Sequence, residues 1–146
     1  MIRKNSPLIE YFPVDYCDSF MKTIVDKDEL IPAQLIDSLF VDFPWWVNML
    51  MKLRNFLVKF LGLKNGELKD YISDMIKSQS THVTVVGMAD KHLDFYVEFW
   101  CPPKEYNQQN VTITTVVKYN NRVGRMYFFF VKPFHKLIVS STLKRL

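Results

Sequence analysis

The sequence predicts an α+β domain in which an antiparallel β-sheet packs against helices and a long, bent C-terminal helix. Its 146 residues are the length of one ordinary domain, long enough to bury a substantial core. The composition, 49% hydrophobic and 23% charged, is that of a globular protein. Apolar residues follow a helical period in 32–61, alternate in 82–119 and return to a helical period after 122. No repeat marks a boundary, so one domain over 1–146 is expected.

The N-terminal part is expected to hold one strand and two helices. Residues 1–13 are predicted to be an irregular lead-in, and the alternation over 16–24 indicates a first strand. A helix is expected to begin near Pro32, because proline favours the first turn. The segment 45–61 predicts a second helix that is apolar around most of its circumference and ends at Gly62.

The middle of the chain is expected to form the sheet. Residues 68–76 are predicted to be a short helix or turn, and 78–81 a polar connector. The first two of the following strands are expected to form a hairpin around Asp90-Lys91. The alternating pattern predicts these strands at 82–86, 93–100 and 111–119.

Residues 122–146 predict a long amphipathic helix. Pro133 lies inside it and removes one backbone hydrogen bond, which predicts a bend. The expected apolar face consists of Val123, Tyr127, Phe130, Phe134, Leu137 and Ile138. The opposite face consists of Arg122, Arg125, Phe129, Lys132, Lys136 and Ser140.

Positive charge is concentrated at the C-terminal end of the chain. The net charge is +4, yet residues 1–105 carry 12 basic and 15 acidic residues, whereas 106–146 carry 7 basic residues and no acidic one. These basic residues are spread over the sequence rather than clustered as in strong phosphate binders. A solvated helix face is therefore favoured, and no nucleic-acid partner is predicted.

Cysteine and hydropathy patterns indicate the compartment. The two cysteines, Cys17 and Cys101, predict neither a disulfide framework nor a zinc site. Charged residues interrupt every long apolar stretch, so neither a signal peptide nor a membrane span is predicted. We expect a cytoplasmic protein with no metal and no cofactor.

Three groups of motifs are distinctive when they are taken together. They are Trp46-Val47 with Leu53-Arg54-Asn55 and Gly62-Leu63-Lys64; Asp90-Lys91-His92-Leu93-Asp94-Phe95; and Thr114-Thr115-Val116-Val117 with Asn120, Gly124-Arg125-Met126-Tyr127 and Pro133-Phe134-His135. In this order they resemble the bacterial domain-of-unknown-function family 2867, over roughly residues 14–146. The family has no assigned activity. At the level of fold the resemblance implies a START-like helix-grip architecture, in which a curved sheet wraps the last helix around an apolar cavity.

A polar pair on one strand suggests acid–base chemistry. His92 and Asp94 are two residues apart, so both side chains are expected on one face of the strand. Arg125 or His135 from the final helix could complete a catalytic site with them. The alternative is that these residues hold the hairpin against the helix through hydrogen bonds and ion pairs.

The excess of aromatic residues suggests a binding pocket. Aromatic residues make up 15% of the chain, and many fall on elements expected to face one another. The favoured hypothesis is a small soluble domain that binds an apolar or amphipathic molecule between the sheet and the C-terminal helix. The candidate binding residues are Trp46, Phe95, Tyr96, Tyr127, Phe130 and Phe134.

Two other functions remain open on the sequence. One is an enzyme that uses the His92, Asp94, Arg125 and His135 cluster. The other is a peripheral membrane domain that binds through Trp45, Trp46 and the basic final helix. The oligomeric state is left open.

Overall fold

The computed structural model describes residues 2–41, 76–89 and 92–146. These residues form one five-stranded antiparallel sheet in the order β1-β5-β4-β3-β2, so the predicted α+β class is confirmed. The predicted helix at 45–61 and the hairpin turn at 90–91 lie outside the described residues. The elements are a 3-10 helix Pro7–Tyr11, β1 Tyr16–Val25, α1 Pro32–Val41, β2 Ile76–Gln79, β3 Val83–Ala89, β4 Leu93–Trp100, β5 Gln108–Tyr119 and α2 Arg122–Arg145.

Two parts of the chain differ from the sequence-based expectation. Ile76–Gln79 is a strand, although the pattern predicts the end of a helix or turn followed by a connector. It is a short, largely exposed strand at the edge of the described sheet, where it pairs with β3, and its register is irregular after Ile76. Such a strand buries neither face, so it leaves no alternating pattern to detect. The lead-in 1–13 is also more ordered than predicted, since it contains the 3-10 helix and buries Leu8 completely.

One face of the sheet carries the main core. The strand register places the odd-numbered residues of β4 and β5 on this face, together with the even-numbered residues of β1. Helices α1 and α2 cover it, and both contribute buried apolar side chains. The core consists of Ile24, Leu35, Ile36, Val86, Val97, Phe99, Cys101, Val111, Ile113, Val139 and Leu143.

The chain's first residues cover part of the opposite face of the sheet. Leu8 packs there in a second cluster of buried residues, and the ring of Tyr11 stacks on that of Tyr96 at 3.7 Å between centroids. Glu98, also on this face, is 2% exposed. Its carboxylate accepts hydrogen bonds from Arg3 at 2.9 Å and from the Ser6 hydroxyl at 2.5 Å. The N-terminal segment thereby supplies the partners of a buried charge.

Helix α2 begins in close contact with the sheet. The side chain of Asn121 caps it by accepting a hydrogen bond from the Gly124 amide. A Cβ atom at Gly124 would lie 1.9 Å from the carbonyl oxygen of His92, so only glycine permits this approach. The helix then continues through Pro133 to Arg145. Pro133 is exposed and leaves the Phe129 carbonyl without its backbone donor.

The predicted apolar face of α2 is wrong in its orientation. The residues that the helix buries are Gly124, Phe128, Val139, Thr142 and Leu143. Phe130, Phe134 and Leu137, which were expected to be buried, are exposed. Helix α2 has apolar residues on two opposite sides, so periodicity alone cannot choose between them. The contact at Gly124 makes the choice.

Replacing Gly124 by alanine should destabilise the domain. Alanine normally stabilises a helix relative to glycine by about 1 kcal/mol, but here its Cβ would clash with the His92 carbonyl. We expect a loss of about 1–3 kcal/mol in the free energy of unfolding, measured by urea denaturation. The exposed Ser141→Ala substitution on the same helix is the control. If Gly124→Ala is as stable as that control, the close contact is not required.

The Arg3–Glu98 ion pair should contribute measurably to stability. Arg3→Met keeps an apolar stem on the Trp100 ring, over which the guanidinium lies at 4.1 Å, but removes a partner of the buried carboxylate. We expect the Arg3→Met substitution to lower the free energy of unfolding by about 1–3 kcal/mol. The double variant, which also carries Glu98→Gln, should recover part of this stability. Lys4→Met, at the exposed neighbouring position, should change nothing. Additive effects of the two single substitutions would contradict direct coupling.

Candidate functional site

His92 and Asp94 both contact the turn that leads into α2. The Nδ1 atom of His92 lies 2.8 Å from Nδ2 of the Asn121 side chain, which can donate a hydrogen bond to it. The Asn120 side chain donates to the Asp94 carboxylate at 2.9 Å, and the Asn120 backbone amide donates to the His92 carbonyl at 2.9 Å. These contacts join the start of β4 to the start of α2.

The four predicted catalytic residues do not form one cluster. The guanidinium of Arg125 lies 5.7 Å from the centre of the Tyr119 ring, near the start of α2. His135 is ten residues further along the helix, which corresponds to about 15 Å, and there it contacts Asp18 of β1. The sequence spacing of these residues cannot show that β1 lies beneath the middle of α2, so it suggests the wrong carboxylate for His135.

The structure instead brings together Tyr16, Asp18 and His135. Tyr16 and Asp18 are two apart on β1 and point towards α2. The Tyr16 hydroxyl donates to Asp18 Oδ2 at 2.5 Å, and His135 Nε2 lies 3.2 Å from the same oxygen. The side chains of Asp18 and His135 are only 11% and 12% exposed. A carboxylate, an imidazole and a phenol therefore meet in a largely buried position.

The electrostatic balance at this position favours the ionised form of Asp18. Burial alone would raise its pKa, but the close contact with the His135 imidazole, the hydrogen bond from Tyr16 and the nearby charge of Lys136 lower it, and the net effect is a lowered pKa. Burial and the adjacent carboxylate raise the pKa of Tyr16 far above its ordinary value. Tyr16 is therefore a hydrogen-bond donor at physiological pH. Lys132 lies 4.9 Å above the centre of its ring.

Three polar atoms in this cluster are buried without a hydrogen-bond partner. They are Oδ1 of Asp18, Oγ1 of Thr115 and Nε2 of His135, whose contact with Asp18 has the distance of an ion pair but not the alignment of a hydrogen bond. Thr115 is fully buried and pairs directly with Asp18 across β1 and β5. A buried polar atom without a partner costs about 1–3 kcal/mol, so each such atom calls for an explanation such as a ligand, an ion or a water molecule. In the described part of the chain, Nε of Arg3 and Nε2 of His92 are also buried without a partner, but they lie outside this cluster. We call Tyr16, Asp18, Thr115 and His135 the polar cluster.

The aromatic residues predicted to bind a ligand are divided between different surfaces. Phe95 is half-buried on the helix-covered face of the sheet, where it packs against the main core. Tyr96 is on the opposite face, against Tyr11, because adjacent strand residues alternate, so it does not share a face with Phe95. Tyr127 is half-buried. Phe130 and Phe134 are exposed, and Trp46 lies outside the described residues.

The polar cluster includes three residues that the sequence-based selection missed. Tyr16 and Asp18 show the same spacing of two on a predicted strand that drew attention to His92 and Asp94, so that signal was present. Thr115 gave no signal, because a threonine inside a strand is usually a structural residue. Only the pairing of β1 with β5 places it beside Asp18.

The described part of the chain has one further surface feature that could bind a molecule. An open groove near the end of β1 is lined by Ile24, Asp26, Lys27, Asp28, Leu30 and Leu146, and none of these is a predicted site residue. Within the described residues, no three His, Cys, Asp or Glu side chains are grouped to hold a metal ion. No described helix is long and apolar enough to cross a membrane.

Comparison with models of protein families assigns this chain to a family. The family model described as "Protein of unknown function (DUF2867)" matches residues 12–142. The chain belongs to this family. No significant match to a curated protein or to a solved structure was found, and the START-like helix-grip fold stays a prediction. The matched range of the DUF2867 domain contains the whole polar cluster but not Arg3 and Ser6.

The lowered pKa of Asp18 makes the stability of this DUF2867 domain depend on pH. Its ordinary value is 3.8, so the ionised carboxylate contributes stability above that pH, and the contribution is lost as the pH falls through the lower folded-state pKa. Asp18→Asn should therefore reduce the free energy of unfolding by about 1–3 kcal/mol at neutral pH, and the difference from wild type should shrink below about pH 4.

Chemical denaturation of both proteins across this pH range provides the measurement. Asp37→Asn, at an exposed position on α1, is the control and should show no such change. A difference between wild type and Asp18→Asn that stays constant down to the lowest pH would contradict the lowered pKa.

Proposed function

We propose that this domain binds a small amphipathic molecule between β1, β5 and α2, with the molecule's polar end at the polar cluster. The single observation that carries the proposal is the set of buried, unpartnered atoms on Asp18, Thr115 and His135. They come from two strands and a helix, yet they lie within one cross-strand pair and one ion-pair contact of each other. A hydrogen-bonding group placed among them would compensate the cost of their burial.

The chemistry of these atoms specifies the polar end. The Asp18 carboxylate is an acceptor, and its second oxygen already receives the Tyr16 hydroxyl. The Thr115 hydroxyl can donate or accept. Lys136 and the imidazole of His135 already favour the ionised form of Asp18, so the polar end of the ligand need not carry a positive charge. A neutral hydroxyl group, which can donate to Asp18 and accept from Thr115, fits these requirements best.

The neighbouring row of the sheet suits an apolar body. Tyr16, Val117 and Phe95 lie side by side across β1, β5 and β4, one step along the strands from Asp18 and Thr115. From α2, the ring of Phe128 contacts that of Tyr16 at 4.8 Å between centroids. Rows on one face of a sheet are about 7 Å apart, which is the scale of an aromatic ring. The proposed ligand is therefore an alcohol or phenol with a compact apolar body.

Acid–base catalysis is the second candidate function, and its carboxylate would be Asp18 rather than Asp94. His135 beside Asp18 is the combination that the sequence suggested for His92 and Asp94, because an imidazole held by a carboxylate can transfer a proton. It ranks below binding because the unpartnered Thr115 hydroxyl, which binding explains, has no role in a proton transfer between Asp18 and His135.

A cytoplasmic location is also proposed. Cys17 and Cys101 are both free thiols, as is usual in a reducing compartment. Burial raises the pKa of Cys101 to about 12, so that thiol stays protonated and unreactive.

Binding can be tested with 2-naphthol, a fluorescent phenol with a compact apolar body. Its methyl ether, 2-methoxynaphthalene, has the same rings but no hydrogen to donate. We expect 2-naphthol to bind the wild-type protein more tightly than the ether. Thr115→Val, which keeps the side-chain shape but removes the hydroxyl, should weaken 2-naphthol binding roughly three- to tenfold.

Thr114→Val is the matched control. Thr114 is adjacent and also buried, but it faces the other side of the sheet and exchanges a hydrogen bond with Ser19. The proposal fails if neither naphthalene compound binds, or if Thr114→Val and Thr115→Val have equal effects on the affinity for 2-naphthol.

A further inference from the structure

The side of α2 that faces away from the sheet is unusually apolar. Met126, Phe129, Phe130 and Leu137 are 59%, 73%, 64% and 57% exposed. They recur at spacings of three, one and seven residues, so they share one side of the helix. With Pro133 between them, they form a strip about 16 Å long. We call these four residues the outer strip.

The outer strip lies opposite the buried residues of the same helix. At 100° per residue, its centre is about 180° from Phe128 and His135, which contact the sheet. The rings of Phe129 and Phe130 meet edge to face at 5.7 Å, which leaves both in contact with solvent. Large apolar side chains grouped on a surface usually mark a binding site for another molecule or a membrane.

Positive charge lies along one flank of this strip. Arg122, Arg125 and Lys136 are exposed there, and residues 106–146 contain no acidic side chain. Two copies of the domain that met through this helix would bring basic residues close together without acidic partners from the same helix. An anionic surface would instead be attracted by every one of these charges.

We propose that α2 docks the domain on an anionic membrane surface, with the outer strip inserted among the lipids and the flanking basic residues at the headgroups. A helix with apolar residues on its outer side and basic residues beside them is the arrangement that binds in the plane of a bilayer interface. Each basic residue near such a surface strengthens binding. This proposal does not depend on the polar cluster, which the opposite side of α2 lines.

Sedimentation with lipid vesicles tests the proposal on the full chain. The vesicles are of phosphatidylcholine alone, or of phosphatidylcholine and phosphatidylserine in equal parts, at low ionic strength. The wild-type protein should sediment with the anionic vesicles and much less with the neutral ones. The Phe129→Ser/Phe130→Ser variant should bind the anionic vesicles at least about tenfold more weakly, because it loses the inserted rings.

Two further variants separate the apolar and electrostatic contributions. Arg122→Gln/Lys136→Gln should weaken binding to anionic vesicles roughly tenfold or more and remove most of its dependence on salt. Met21→Ser is the matched control, because Met21 is 65% exposed but lies on β1 and faces away from α2. It should bind like wild type. Since all these positions are exposed, thermal denaturation should show that every variant folds.

Three outcomes would overturn the proposal. In the first, the wild type does not sediment with anionic vesicles. In the second, Met21→Ser loses as much binding as Phe129→Ser/Phe130→Ser. In the third, light scattering shows that the wild type is a dimer and that Phe129→Ser/Phe130→Ser is a monomer. The last would assign the outer strip to a second copy of this chain. None of these outcomes affects the 2-naphthol test, so the two proposals can fail separately.

Discussion

The close packing of α2 on the sheet at Gly124 is the constraint on which the rest of the structure depends. Without a side chain at this position, the helix approaches the His92 carbonyl, and the Asn121 cap fixes where it begins. Its direction across the sheet then brings Phe128 to Tyr16 and His135 to Asp18. The same contact decides which side of the helix is buried. The contact at Gly124, together with the packing of Val139 and Leu143 in the core, therefore places both the polar cluster and the outer strip.

Among the described residues, Glu98 is buried and Asp18 largely buried on opposite faces of the sheet, and the partners of the two carboxylates differ. Both oxygens of Glu98 have partners, supplied by Arg3 and Ser6 from the N-terminal segment. Asp18 has partners for one oxygen only, and Thr115 beside it has none among the described residues. A fully paired buried carboxylate is typical of a structural role, whereas an incompletely paired one leaves capacity for a ligand. Asp18, not Glu98, is therefore the basis of the proposed site.

The family model covers the polar cluster but not the N-terminal residues that bury Glu98. Residues 12–142 belong to the DUF2867 model and contain the polar cluster. Arg3, Ser6 and Leu8 precede that range, yet they bury Glu98 and cover part of the second face of the sheet. This N-terminal cover adds stability to the domain without touching the helix-covered face. The proposed binding site and the N-terminal cover thus lie on opposite sides of one sheet.

Local patterns in the sequence determined the α+β class, β1, α1, the three central strands and the extent of α2, because alternation and helical period follow directly from which residues are buried. They also indicated that His135 could act with a carboxylate. The tertiary structure decided that this carboxylate is Asp18, since a partner on another element depends on strand order and helix direction, which no local spacing encodes. It likewise decided which side of α2 is buried. A helix with apolar residues on both sides satisfies either orientation locally, and only its packing on the sheet, which includes the close contact at Gly124, distinguishes them.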